Sequence, residues 1–319
     1  MKNLICIVIS VILVIACLAS CKGEEKDSKI SIVATIFPQY DWTAEVLGDK
    51  ADGVNLTLLL DSGVDLHSYQ PTAKDIVTVS SSDLFIYVGG ESDEWVEDVL
   101  KEASNKDMKK IALMDAGDLL VEETVEGMQE TEEEGEEEEE TEYDEHIWLS
   151  LKKAQVCVEA IAKALGEIDS DNAQYYKNNA DAYIEKLKSL DKEYEETVSN
   201  STQKTLIFAD RFPFRYLTED YGLNYFAAFK GCSAESEASF ETISFLANKV
   251  NELSVPCVIA IEGSDRKIAK TVISTANNSS LSIVTLNSMQ TITLKDVKSG
   301  TKYLDIAKSN LDSLKKALA

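Results

Sequence analysis

From Ile30 onward, apolar runs of strand length alternate with stretches of helical period. Ile30 to Ile36 is apolar and rich in β-branched residues, which predicts a buried first strand. A helix is predicted over Gln39 to Leu47. Pro38 stands at its start, where a missing N–H costs little. Val54 to Leu60 reads as a second strand, Asp61 to Thr72 as a loop, Ala73 to Ser80 as a short helix and Leu84 to Val88 as a third strand. A helix over Trp95 to Ala103 and a strand over Lys110 to Met114 continue the series. Strands that alternate with helices predict a parallel sheet with helices on both faces.

The rhythm breaks between Glu122 and Glu145 and resumes at Ile147 with a helix to about Leu165. Asn172 to Val198 then contains neither Pro nor Gly, and Tyr183, Leu187, Leu190 and Tyr194 recur at helical spacing. One helix of that length would span roughly 40 Å at 1.5 Å per residue, long enough to serve as a spine between two halves. A second βα series follows: strand Leu206 to Ala209, helices Phe214 to Tyr221 and Phe240 to Leu253, strand Pro256 to Ile261, helix Lys267 to Thr275 and strand Ser282 to Leu286. A helix over Thr301 to Leu318 closes the chain. The expected organisation is an α/β lobe over 30–168, a spine helix over 169–200 and a second α/β lobe over 201–319.

Composition changes this picture little, and charge changes it more. Apolar residues make up 44% of the chain, enough for real cores and too many for a disordered protein. The formal net charge is −26. Fifteen acidic residues, with no Lys or Arg among them, fall between Glu122 and Glu145 and leave about −11 elsewhere. A chain this acidic is a poor partner for nucleic acid and a natural one for cations. The acidic run itself reads as a solvated loop, either a solubilising spacer or an antenna that concentrates cations.

The N-terminus looks like a targeting signal. Lys2 precedes an uncharged apolar run, Leu4 to Leu18, which is short for a membrane span. The run ends in Leu18-Ala19-Ser20-Cys21, which resembles a bacterial lipobox. The expectation is a signal peptide over 1–20, lipidation at Cys21 and a polar tether over 21–29. A plain signal peptide or a short anchor is the other reading. Downstream, Cys157, Cys232 and Cys257 are scattered and odd in number, so they make no disulfide framework and no CxxC metal site. Cys157 and Cys257 lie in apolar runs and read as core. Cys232, in Gly231-Cys232-Ser233, is the one beside a candidate functional loop.

The chain has two histidines, His67 and His146. Each falls at an element boundary beside carboxylates, Asp65 for the first and Asp144 and Glu145 for the second. In open α/β sheets ligands collect beyond the carboxyl ends of strands, and His67 follows such an end. Either residue alone reads more readily as structural. The pair makes a metal site an even choice, and spacing alone does not decide it.

The segments around them resemble the metal-binding lipoproteins of ATP-driven zinc and manganese importers, the cluster A-I solute-binding family, over essentially the whole mature chain. Ala34-Thr35-Ile36-Phe37-Pro38-Gln39-Tyr40 is similar to that family's first strand and Pro turn, and Asp83 to Gly89 to a later strand. His67-Ser68-Tyr69-Gln70-Pro71-Thr72 matches its His-x-(Tyr/Phe)-x-Pro-(Ser/Thr) motif. Asp144-Glu145-His146-Ile147-Trp148-Leu149-Ser150 matches its Asp-x-His-x-Trp-Leu-(Ser/Asp) motif.

The resemblance implies two Rossmann-like lobes joined by a long helix, with a divalent ion held between them by His67 and His146. Arg211 stands where the family places its third ligand, and a guanidinium cannot coordinate a metal. Asp210 beside it is the expected substitute, the alternative being a water with Asp210 behind it and Arg211 paired to a carboxylate. Glu262 and Asp265 both stand as candidates for the fourth ligand, with Asp265 slightly preferred. Gly231-Cys232-Ser233-Ala234-Glu235 is similar to a family loop that borders the site, with Glu235 as a supporting residue. Two imidazoles with one or two carboxylates suit zinc and tolerate manganese.

The implied role is a lipid-anchored, monomeric protein on the outer face of the cell membrane that captures zinc, or alternatively manganese, for an importer permease. An adhesin on the same scaffold is a further reading. A metallohydrolase is disfavoured, since no HExxH, nucleophile elbow or P-loop occurs.

Overall fold

The structure, a computed structural model, describes residues 29–129, 141–233, 237–276, 278 and 280–319. The leader with Cys21, the centre of the acidic run and Glu235 lie outside the described residues.

The first lobe alternates strands β1 (Ile30–Ala34), β2 (Val54–Leu58), β3 (Leu84–Tyr87) and β4 (Lys109–Ala112) with helices α1 (Phe37–Leu47), α2 (Ala73–Ser80) and α3 (Trp95–Lys101). Helices α4 (Leu151–Ile168) and α5 (Ala173–Asn200) follow. The second lobe contains β5 (Thr205–Phe212), α6 (Arg215–Tyr221), β6 (Asn224–Lys230), α7 (Phe240–Leu253), β7 (Cys257–Ile261), α8 (Lys267–Thr275) and β8 (Ser282–Leu286). A short helix α9 (Leu294–Lys298) and the closing helix α10 (Tyr303–Ala317) complete the chain.

The four strands of the first sheet run in the order β2-β1-β3-β4 and those of the second in the order β6-β5-β7-β8. All pairings are parallel. Ile32 of β1 is in register with Leu56 and Leu84, and Phe208 of β5 with Ile259. Both sheets therefore reverse their strand order in the middle, and such a switch point opens a crevice at the carboxyl ends of the strands. Strands covered on both faces carry unbroken apolar runs, and every residue of β7, Cys-Val-Ile-Ala-Ile, is buried.

The long helix forms as its sequence predicts, over 28 residues, and buries Tyr176, Ala180, Tyr183, Leu187, Leu190, Tyr194 and Val198 along one stripe. It packs on α4, α1 and α10, and so touches helices from both ends of the chain. Asn179 donates to the carbonyl of Val46 (3.0 Å) and Tyr194 to that of Ala307 (2.6 Å). One hydrophobic core runs from Ile32 in the first sheet to Leu286 in the second, while a smaller one lies under α7 and α8.

Several boundaries differ from expectation. β5 runs three residues past Ala209, with a register shift between Phe208 and Arg211 that carries Asp210 and Arg211 to its carboxyl end. β6 was not anticipated, because Asn-Tyr-Phe-Ala-Ala-Phe-Lys has no β-branched residue. No helix among the described residues is long and apolar enough to cross a membrane.

Candidate metal centre

The two histidines come from segments of the first lobe that are 79 residues apart in sequence. After β2 the chain enters a single 3-10 turn, Leu66–Ser68, whose flanking Asp65 accepts from the His67 N–H (3.1 Å). Leu66 is buried and fixes the turn against the core. His146 is reached after the acidic run, whose base is pinched by an antiparallel bridge between Val121 and Tyr143. Tyr216 of α6 donates to the carbonyl of Asp144 (2.8 Å) and accepts from the Leu120 N–H (3.2 Å), so the second lobe holds this base in place. The Asp144 carboxylate accepts from the His146 N–H at 2.9 Å.

The ring nitrogens then sort into two classes. Nδ1 of His146 lies 3.2 Å from Oδ1 of Asp144. Nδ1 of His67 lies 2.7 Å from Oγ of Ser92 and 3.6 Å from Oε2 of Glu145. With Nδ1 of each ring facing oxygen, Nε2 is the atom each ring turns toward the other, and a metal binding between them displaces any proton held there. Those two nitrogens lie 3.2 Å apart. Two nitrogens bound to one tetrahedral zinc at 2.0–2.1 Å would stand about 3.3 Å apart. The pair therefore already has the spacing of one edge of a zinc tetrahedron.

Glycine permits this crowding at two places. Gly90 has φ +84°, and a Cβ there would lie 2.4 Å from Oε1 of Glu145. A Cβ on Gly231 would lie 2.8 Å from Cε1 of His146. The loop after β6 thus rests its backbone directly on the imidazole.

Burial, then the neighbouring His146 charge and Arg211, pushes His67 down to about 3, so it is a neutral imidazole at ordinary pH. Burial acts to lower His146 as well, but the Asp144 carboxylate, with Glu145 and Glu122, outweighs it and holds His146 above the usual value. A metal binding there competes with a proton and releases it.

Among the described residues, one donor atom each from His67, His146 and Cys232 lies within 4.8 Å of the other two, with none from Asp210, Glu262 or Asp265. The carboxylates expected to complete the site are engaged elsewhere. Asp210 accepts from the Arg211 N–H (3.0 Å) and the Ile261 N–H (3.3 Å), tying the ends of β5 and β7 together. Glu262 accepts from the N–H (2.7 Å) and hydroxyl (2.6 Å) of Ser288, whose carbonyl accepts from the indole of Trp148 (2.8 Å). Asp265 is exposed, accepts from the Lys267 N–H (2.8 Å) at the start of α8 and pairs with the Lys267 ammonium (2.6 Å). Carboxylates near strand ends are drawn to backbone N–H groups close by, and each of these three accepts at least one.

Arg211 does pair with a carboxylate. Its guanidinium reaches Asp65 (2.9 Å) and the carbonyl of Ser233 (3.4 Å), so it touches the loop carrying His67 and the loop carrying Cys232. Burial acts to raise Asp65, yet Arg211 and His67 together hold its carboxyl below the ordinary range. Cys232 had no spacing partner in sequence, and its place in Gly231-Cys232-Ser233-Ala234-Glu235, similar to a family loop that borders the site, was the available signal.

Residues 32–317 match the family model described as the periplasmic component A of zinc-uptake complexes, ZnuA. The chain belongs to the ZnuA family. The high-affinity zinc uptake system protein ZnuA of Bacillus subtilis is 33% identical over 313 residues, covering 96% of this chain and 94% of that protein. The zinc-binding lipoprotein AdcA of Streptococcus pneumoniae is 32% identical over 299 residues, covering 93% of this chain. The chain spans only 58% of the length of that relative. The Zn(II)-bound ZnuA-like domain of the pneumococcal AdcA superposes with a TM-score of 0.72 at 31% identity, covering 91% of this chain and 99% of the domain. The two-lobed ZnuA architecture is thus shared along nearly the whole length.

Proposed function

We propose that this ZnuA-family chain is the solute-binding component of an importer, which captures one divalent transition-metal ion between its lobes and delivers it to a membrane permease. Zinc is the favoured ion and manganese the alternative. The observation that carries this reading is the facing pair of Nε2 atoms, 3.2 Å apart, with each Nδ1 held by an oxygen. His67 and His146 are the metal ligands in this reading. Arg211 closes the second lobe over them through Asp65, and the protein binds its ion without turnover.

Cys21 carries the lipid anchor and keeps a monomer at the extracytoplasmic face. The lobes are 30–168 and 201–319, with 169–200 as spine. The readings of the acidic run as antenna or spacer fall mainly on residues outside the described ones.

Calorimetric titration of the full chain with zinc, with manganese as competitor, tests the proposal. One zinc per chain is expected, displaced poorly by manganese. Affinity should fall at least about 100-fold in His67→Ala and in His146→Ala, since each removes an imidazole donor. Parent-like affinity in both variants would overturn the assignment.

A further inference from the structure

We propose that Cys232 is the second lobe's ligand to the ion, so that the site is a two-histidine, one-thiolate centre selective for zinc over manganese. This inference rests on the metal-capture reading above and names the residue that completes and tunes that site.

Three observations place the thiol there. First, among the described residues, Cys232 supplies the one second-lobe donor that comes within 4.8 Å of both imidazoles, while Asp210, Glu262 and Asp265 spend their oxygens on backbone, hydroxyl and ammonium partners. Second, the loop is built to hold it. β6 ends at Lys230, and Gly231 lies so close to His146 that no side chain fits between them. The Arg211 guanidinium holds the carbonyl of Ser233 on the other side of the cysteine. Third, Cys157 and Cys257 are buried in the apolar core, whereas Cys232 is only partly buried and lies beside the two imidazoles.

A cysteine binds zinc as its thiolate. When a zinc ion arrives, the S–H bond breaks, its electron pair forms the Zn–S bond and the proton leaves to solvent. The carboxylates of Asp65, Asp144 and Glu145 beside the imidazoles favour the dication that replaces this proton.

Selectivity follows from donor softness. Thiolate and imidazole suit zinc, whereas manganese prefers carboxylate, carbonyl and water oxygen. A tetrahedral centre with Zn–N of 2.0–2.1 Å and Zn–S of 2.3 Å needs the sulfur about 3.5 Å from each Nε2, a short movement inside the present cluster.

Cobalt(II) loading of the full chain reads the sulfur directly. The parent should show visible d–d bands of a low-coordinate site and a near-ultraviolet thiolate-to-cobalt charge-transfer band. Cys232→Ser should keep the d–d bands and lose the charge-transfer band. Its zinc affinity should fall about 100-fold while its manganese affinity moves less than about threefold. A parent that binds cobalt with no charge-transfer band overturns this inference and leaves the metal-capture reading standing. So does a charge-transfer band that persists in Cys232→Ser. A parent that binds neither cobalt nor zinc overturns both. The parent spectrum decides whether or not the variant folds.

Discussion

Nη2 of Arg211 lies 2.9 Å from Oδ2 of Asp65, while Oδ1 of the same carboxylate holds the backbone N–H of His67. A cation from the second lobe thus fixes the turn that presents a first-lobe imidazole. The ion pair is only partly exposed, 23% for Arg211 and 17% for Asp65.

Such a pair should act as a unit in holding the lobes together. Arg211→Gln and Asp65→Asn should each speed zinc release several-fold. The double variant should be no faster than the worse single, with a coupling of about 1 kcal/mol, or about fivefold in rate. Stopped-flow release into a chelator measures this, and additive effects would reject the latch.

Asp144 does for His146 what Ser92 and Glu145 do for His67. It sets the tautomer and strengthens the Nε2 lone pair. Asp144→Asn keeps the shape and removes the charge. Zinc affinity should fall about 10-fold to 100-fold, the range found for such supporting groups. Competition with a fluorescent zinc chelator checks it.

Gly231 tests the tight packing of loop on ring. In Gly231→Ala the added Cβ would meet Cε1 of His146 at 2.8 Å and the Phe212 carbonyl at 3.0 Å. Loop and ring must separate, at a cost of about 1–3 kcal/mol. The metal-free variant should melt lower than the parent, and its zinc affinity should drop at least about tenfold. Unchanged melting and affinity would show that the loop yields freely.

Asp93 gives a pH signature away from the ligands. Its carboxylate accepts from the N–H groups of Val88 (2.7 Å) and Gly89 (3.0 Å), bracing the turn before Ser92. Burial nevertheless pushes it from the ordinary 3.8 up to about 6. Above pH 6 it is ionised in the folded and unfolded chains alike, and folding bears the full cost of burying the charge. That cost is relieved as pH falls through 6 and is gone below 3.8, where both states are protonated. Asp93→Asn should therefore melt a few degrees, roughly 2–4 °C, above the parent at pH 7.5. The gap should close as pH approaches 4. Melting curves across that range decide it, and a constant gap would contradict it.

The sequence made the βα rhythm legible because strands such as β3 and β7 are apolar throughout, and it made α5 legible because nothing between Asn172 and Val198 interrupts a helix. His67 and His146 stood out because no other histidine competes with them. β6 escaped notice because two alanines and the flanking Asn224 and Lys230 dilute its three aromatic residues. The carboxylates were harder for a different reason. Asp210, Glu262 and Asp265 lie at or after strand ends as ligands do, but so do carboxylates that accept from backbone N–H groups, and in this structure all three make such contacts.

X-ray absorption at the zinc edge of the zinc-loaded full-length protein tests the convergence of the two imidazoles most directly. The account predicts one zinc environment with two imidazole nitrogens at about 2.0–2.1 Å, marked by the outer-shell scattering of the rings. A spectrum without imidazole scattering, or one unchanged in the His67→Ala, His146→Ala double variant, would contradict it.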